Sequence, residues 1–175
     1  LMWSKEAASV MADFWKTIDT VVMGRRTYEV ALRMGAGGGA YPGVKNYVFS
    51  RTMKQSAKKK VKNLEIISED AAEFVRKLKD QEGKDICVMG GGLLAKSLFE
   101  ANLIDEIGFN IHPVLLGSGT PLFHEMNHQI DLELIECKAF KNGTLMVSYR
   151  VKHETEKKRA TTRIARKAGN RDREI

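Results

Sequence analysis

No apolar run in this sequence approaches the roughly 18 residues that a membrane-crossing helix needs, so a membrane span is not expected. Cysteine is nearly absent. Cys87 and Cys137 are the two present, and both stand in apolar, strand-like stretches. Two thiols in a chain of this size do not make a disulfide framework. A reducing, cytoplasmic setting is the natural reading, and the first residues show no charged-then-apolar leader. No CxxC pair occurs, which argues against a cysteine zinc site and leaves no metal in the expectation. A basic domain face is missing too. The formal charge is +7, but residues 152–175 carry nine Lys and Arg against four Asp and Glu, so most of the excess belongs to the tail. A nearly neutral body with a basic tail argues against nucleic acid as a partner.

What is present suits one α/β domain. A chain of 175 residues can bury roughly 70% of its unfolded surface and build a core unaided. Ala7, Met11, Phe14 and Ile18 recur at helical spacing. Thr20–Met23 reads as a short buried strand and Arg26 to about Met34 as a helix, ended by Gly35–Gly39 and Pro42 in a loop. Asn46–Ser50 and Leu64–Ile67 read as strands. Ser68 is the expected N-cap of a helix running to about Asp80, with Glu69 and Asp70 in the favoured acidic first turn. Asp85–Met89 is a strand and Leu93–Glu100 a helix. Asp105–Leu115 reads as one long strand. Asn142-Gly143 between alternating runs predicts a type I′ hairpin, whose second arm puts Leu145, Val147, Tyr149 and Val151 on one face.

This order predicts a mostly parallel sheet with helices on both faces, closed by an antiparallel hairpin. The domain spans residues 1–152. Apolar periodicity then stops, and residues 153–175 read as a basic tail that is disordered or weakly helical.

Ligands of open α/β sheets lie beyond the carboxyl ends of the strands. Three such ends carry anion chemistry. At Gly24-Arg25-Arg26-Thr27 a strand stops at a glycine and a helix begins, so free amides, two guanidinium groups and a hydroxyl converge. A plain helix start with solvated arginines gives the same residues. At Gly90-Gly91-Gly92-Leu93-Leu94 three glycines let a phosphate approach the backbone. The spacing matches GxGxxG/A, but no acid follows at the required distance and no Lys-Ser/Thr pair makes a P-loop. A tight turn packing helix on strand is the alternative there. At Ser50-Arg51-Thr52 a hydroxyl and a guanidinium could grip an extra phosphate such as the 2′-phosphate of NADP.

His124-Glu125-Met126-Asn127-His128 matches HExxH. Zinc chemistry needs both histidines on one helical face and a third ligand, and no amphipathic helix surrounds this match. His112, before Pro113, reads as structural. Gly117-Ser118-Gly119 lacks the frame of a nucleophile elbow.

Taken in order, VVMGRRTYE, NYVFSRT, ICVMGGGLLAKSLF and IDEIGFNIHPVLLGSGTPLF resemble the dihydrofolate reductase-like family. The resemblance covers about residues 3–151 and favours the branch of the riboflavin-biosynthesis reductase (RibD C-terminal) domain. It implies a three-layer α/β/α fold, NADPH as hydride donor and a flat heterocycle, pterin-like or ribosylaminopyrimidine-like, as acceptor. It also implies a homodimer. By the resemblance Gly24, Arg25, Arg26 and Thr27 hold cofactor phosphates, and Ser50 and Arg51 face the 2′-phosphate. Gly90, Gly91, Gly92, Leu93 and Leu94 lie along the pyrophosphate and nicotinamide. Asn110 falls near the substrate ring. The family's opening strand and Ser-Leu-Asp-Gly-like segment have no counterpart in these residues. The proton-donating carboxylate of the first helix has only Glu6 and Asp13 as candidates, and Glu6 is the choice. The missing segment keeps two other readings open: a non-catalytic NADP-binding module, and a truncated, inactive homologue.

Overall fold

The computed structural model describes residues 5–35, 39–53, 61–126 and 128–153. The basic loop at 54–60 and the tail beyond residue 153 lie outside the described residues. No helix among the described residues is long and apolar enough to cross a membrane.

The chain forms two compact units, residues 1–103 with 115–126, and residues 104–114 with 127–175. In the first, helix α1 (Lys5–Thr17) runs directly into strand β1 (Ile18–Gly24), which leads to α2 (Arg25–Arg33) and β2 (Lys45–Phe49). Strand β3 (Leu64–Ile67), helix α3 (Ala71–Lys79), strand β4 (Asp85–Val88) and helix α4 (Gly92–Glu100) follow. The four strands are all parallel, in the order β3-β2-β1-β4. β1 is therefore hydrogen-bonded on both edges. Val21, Val22 and Met23 at its centre have no solvent exposure. A run that is apolar at every position belongs in a strand covered on both faces.

The covers can be read from the registers. Val21 and Met23 pair with Asn46 and Val48 and share one face with them. That face carries Tyr28 of α2, with Trp15 of α1 and Tyr41 packed beside it. Trp15 and Tyr41 stack with ring centroids 5.2 Å apart. Tyr47 and Phe49 of β2 point the other way and meet Phe74 of α3 edge-on, at 4.9 and 5.7 Å. Helices thus cover both faces of the parallel sheet, as the alternating pattern required. Buried Asn46 is fully used. Its Oδ1 accepts from the Tyr41 amide at 2.8 Å, and its Nδ2 donates to the carbonyls of Tyr41 and Val44, each at 2.9 Å. The amide thereby ties the 41–44 loop to β2.

The second unit is a three-stranded antiparallel sheet, β5 (Glu106–Ile111), β6 (Leu132–Ala139) and β7 (Leu145–Val151), in the order β5-β7-β6. The registers put Leu145, Val147, Tyr149 and Val151 on one face with Ile107, Phe109 and Ile111. The opposite face is polar, with Arg150 paired to Glu106 on one side and Glu133 on the other. Opposite charges in directly facing positions stabilise such a pair modestly.

Several expectations shift. Ile18 opens β1 and does not close the helix, because α1 and β1 share no loop. The α3 cap is Asp70 and not Ser68. The Asp70 carboxylate accepts from the amides of Ala72 at 2.9 Å and Glu73 at 3.1 Å, two orphan donors of the first turn. The long strand stops at Ile111. Pro113 has no N–H to continue a ladder, and the Val114 amide instead folds back to the His112 carbonyl at 2.8 Å. The hairpin turn is not type I′, since only Gly143 has positive φ, at 81°. Phe140 and Thr144 bracket a three-residue loop closed by Gly143 N–H to Phe140 C=O and by Thr144 N–H to Asn142 Oδ1. The hairpin also does not extend the parallel sheet. Both edges of β7 are taken by β5 and β6, so the antiparallel strands form a sheet of their own.

Asp19 provides a test of the β1 start. One carboxylate oxygen accepts from the Lys84 amide at 2.7 Å, the other from the Thr20 hydroxyl at 2.7 Å. These bonds, the Lys84 amide first, hold its pKa below the ordinary carboxylate value. A depressed carboxylate contributes stability that is present above its unfolded pKa and lost as pH falls through the folded one. Asp19→Ala should therefore lower the melting temperature by a few degrees at pH 7. The gap from wild type should begin to narrow below about pH 4 and shrink further as the pH falls. Equal gaps at pH 7 and in acid would contradict this role.

Candidate functional site

The strand order reverses at β1. β2 and β3 lie to one side of it and β4 to the other, so the crevice of this sheet opens at the carboxyl ends of β1 and its neighbours. Gly24, the last residue of β1, is in register with Phe49, the last of β2. On the other edge Val22 pairs with Val88, and the Met89 amide continues the ladder to the Val22 carbonyl at 2.9 Å. The three predicted segments, 24–27, 50–52 and 90–94, are thereby carried to one end of one sheet.

The two helices that start here differ from α3. Both α2 and α4 have a glycine at the N-cap, no side-chain cap and no acid in the first turn. α3, which starts at the same end of the sheet but behind the edge strand β3, has the Asp70 cap and Glu73. Uncapped amides at the positive end of a helix dipole, with no internal carboxylate, suit an external anion.

The side chains divide into fixed and available groups. Arg25 is fixed. Its Nε donates to Glu29 at 2.6 Å and its Nη1 donates to Thr52 Oγ1 at 2.9 Å, which ties the end of β1 to the turn after β2. Ser50 is a turn former, and its Oγ accepts from the Met53 amide at 3.0 Å. Arg26 and Arg51 are exposed, and neither guanidinium has a hydrogen-bond partner among the described residues. Thr27 faces the glycine turn. A Cβ built on Gly90 would lie 3.2 Å from Thr27 Oγ1 and 3.3 Å from its Cγ2. Gly90 and Gly91 also have φ of 62° and 89°, so the turn needs glycine for conformation as well as space. Leu93 is exposed and Leu94 buried.

The remaining predicted residues are dispersed. Glu6 is an exposed side chain in the first turn of α1, the end of that helix remote from the β1 junction. The other candidate, Asp13, is held by Lys16 at 2.7 Å, and that hydrogen bond keeps its carboxyl below the usual range. Asn110 is an exposed residue of β5 in the second unit, opposite Met146. His112 there is 3.4 Å from the Thr144 hydroxyl, in keeping with its structural reading. The HExxH match is not helical at 124–126, and no group of three metal-ligating side chains occurs among the described residues.

One residue near the turn was set aside in the sequence. A Cβ on Gly92 would lie 2.7 Å from His124 Cδ2, 2.9 Å from its Nε2 and 2.9 Å from the Leu122 carbonyl oxygen. The 122–124 segment therefore packs on the start of α4. Its only sequence signal was the HExxH pattern, which pointed to different chemistry.

The family model of the RibD C-terminal domain matches residues 1–146. The chain belongs to the RibD C-terminal domain family. Two Bacillus subtilis (strain 168) proteins, both uncharacterized, are similar to this family member. YyaP is 31% identical over 154 residues, covering 78% of this chain and 76% of YyaP. YwjB is 35% identical over 129 residues, covering 74% and 72%. Solved structures share the fold. A candidate riboflavin biosynthesis protein from Shewanella sp. PV-4 superposes with a TM-score of 0.70 at 22% identity, over 86% of this chain and 81% of the other. Dihydrofolate reductase from Enterococcus faecalis, complexed with NADP(H), gives 0.59 at 19% identity, over 87% and 86%. This RibD C-terminal domain thus has the dihydrofolate reductase-like fold of a reductase-type family.

Cys87 stands on β4 just ahead of the glycine turn, and burial pushes its thiol up to about 11. Such a thiol is protonated at neutral pH and is a poor nucleophile. Iodoacetamide at pH 8 should modify exposed Cys137 first and half-buried Cys87 several-fold more slowly, as read by mass spectrometry of the intact protein. Modification of Cys87 at the rate of Cys137 would contradict its burial.

Proposed function

We propose that this protein is an NADPH-dependent reductase that passes a hydride to a pterin-like or ribosylaminopyrimidine-like heterocycle. The observation that carries this reading is the pair of uncapped, acid-free helix starts, α2 and α4, at adjacent strand ends. A cofactor with a pyrophosphate and a further 2′-phosphate suits that donor set. The turn at Gly90 and Gly91 offers backbone amides with no side chain in the way. Thr27 offers a hydroxyl beside it. Arg26 and Arg51 have guanidinium groups that no described residue engages, and Arg25 braces the two loops that carry them.

When bound there, the nicotinamide supplies the hydride that reduces a C=N or C=O of the acceptor. The chain's own work is to bind and orient. Arg51, one turn beyond β2, grips the 2′-phosphate, while Arg26, Thr27 and the α4 amides hold the pyrophosphate. The proton for the reduced atom comes by way of Glu6 or from water. The NADP(H) complex of Enterococcus faecalis dihydrofolate reductase supports the cofactor choice through the shared fold.

NADPH should quench or enhance fluorescence saturably with a dissociation constant on the order of 10 µM. No saturable change would overturn the reading. Arg51→Ala should weaken NADPH about tenfold and NADH less than about twofold. Equal losses would refute the 2′-phosphate role. Glu6→Gln should leave NADPH affinity unchanged and lower turnover about 100-fold. Undiminished turnover would remove Glu6 from the mechanism.

A further inference from the structure

We propose that His124 is an anion-contacting residue of the Gly90–Gly92 turn, donating from its imidazole to the pyrophosphate of a bound dinucleotide. The inference rests on the dinucleotide reading above and adds to it a residue from a distant part of the sequence.

Three observations carry it. The first is position. The ring edge bearing Nε2 lies against Gly92, so close that a Cβ there would be 2.9 Å from that nitrogen. Gly92 is the first residue of α4, and its N-cap, Gly91, provides no side chain to the helix amides. The imidazole therefore borders the uncapped helix end. Thr27 borders the preceding Gly90 and Gly91. The turn is bracketed by a hydroxyl and an imidazole, both able to donate to an oxyanion.

The second is anchorage. The segment carrying His124 is irregular, yet it is pinned to α4 at two points. The Leu122 carbonyl packs on Gly92, and the Lys96 ammonium, itself paired with Glu100, donates to the Glu125 carbonyl. His124 lies between these points, so its backbone is held at the turn without help from a ligand. A residue held in advance loses less entropy on binding than one ordered by the ligand.

The third is availability. His124 is exposed and has no hydrogen-bond partner among the described residues. The segment is not helical at 124–126, so the HExxH spacing does not place its two histidines on one helical face there.

The arrangement also explains a glycine. Gly90 and Gly91 need positive φ, but Gly92 is helical, where glycine is costly. A side chain at 92 would collide with His124 and Leu122. The third glycine admits the Leu122 carbonyl and the histidine ring together.

The test uses the full chain and two probes, NADPH and inorganic pyrophosphate. With nitrogen-15-labelled histidine, each probe should shift the His124 ring-nitrogen resonances, assigned by their loss in His124→Ala. His124→Ala should weaken NADPH about tenfold with an unchanged melting temperature. His124→Lys, which supplies a side-chain N–H donor, should recover most of that loss, whereas a structural wedge would not be rescued by a flexible ammonium. If wild type binds NADPH and His124→Ala binds it equally well, the role of His124 is overturned and the cofactor reading stands. If NADPH fails to bind wild type, the cofactor reading falls. A His124 shift with pyrophosphate then still supports the anion contact, and no shift with either probe overturns it.

Discussion

The site depends on β1 being paired on both edges. Hydrogen bonds to β2 on one side and β4 on the other bring three sequence-distant strand ends to one level. An edge strand could not do this. The demand on β1 is steep, because a strand between two partners and two helix layers has no solvated face. Val21, Val22 and Met23 meet it with complete burial, and the α2 and α3 side chains Tyr28 and Phe74 cover opposite sides. The crevice is a consequence of connection order. The chain leaves β1 toward β2 and β3, then crosses back through α3 to β4, so the loops after β1 and β4 separate above the sheet.

Electrostatics at that end follow a division of labour among similar residues. Two neighbouring arginines start α2, yet they serve different purposes. Arg25 is consumed by Glu29 and Thr52 and braces two loops. Arg26 is left exposed. Two adjacent helical positions diverge by about 100° around the axis, so one side chain can reach across to the β2 loop while the next cannot. The same contrast separates helix starts. α3 satisfies its first amides internally through Asp70, whereas α2 and α4 leave theirs open. An open helix start is a cost unless water or a ligand completes it. Both open starts fall at the crevice, which is the arrangement expected of a shared anion site and not of two careless caps.

The glycine run shows how one sequence feature can have two physical causes. Three consecutive glycines after a buried strand read as a cradle for phosphate. Gly90 and Gly91 have one cause visible in the structure, positive φ with Thr27 against them, which a tight turn requires whether or not phosphate binds. Gly92 has a different reason, the pressure of the 122–124 segment on the start of α4. Nothing local in the sequence distinguishes the third glycine from the first two. The contact that explains it comes from a residue more than thirty positions away, whose own pattern suggested a metal helix.

The sequence by itself determined the element types and most of their positions. Buried strands such as Val21–Met23 must be apolar throughout, and amphipathic helices must repeat at 3.6 residues, so both are written locally. It also marked 24–27 and 90–92 as candidate anion sites, because glycine and arginine at strand-to-helix junctions suit phosphate, while leaving a plain helix start and a tight turn open. Boundaries set by a single competing group were less legible. Asp70 outcompeted Ser68 as a cap because its carboxylate reached two amides. Pro113 ended β5 early by withholding an N–H, and Gly143 alone took the left-handed conformation in the hairpin loop. Only the tertiary structure decided which of two arginines is fixed, that Asp13 is neutralised by Lys16, that the hairpin closes a sheet of its own, and that His124 borders the glycine turn. Each of these is a long-range pairing or a choice between equivalent neighbours. Local chemistry carries no term that ranks the options until packing brings one of them within reach.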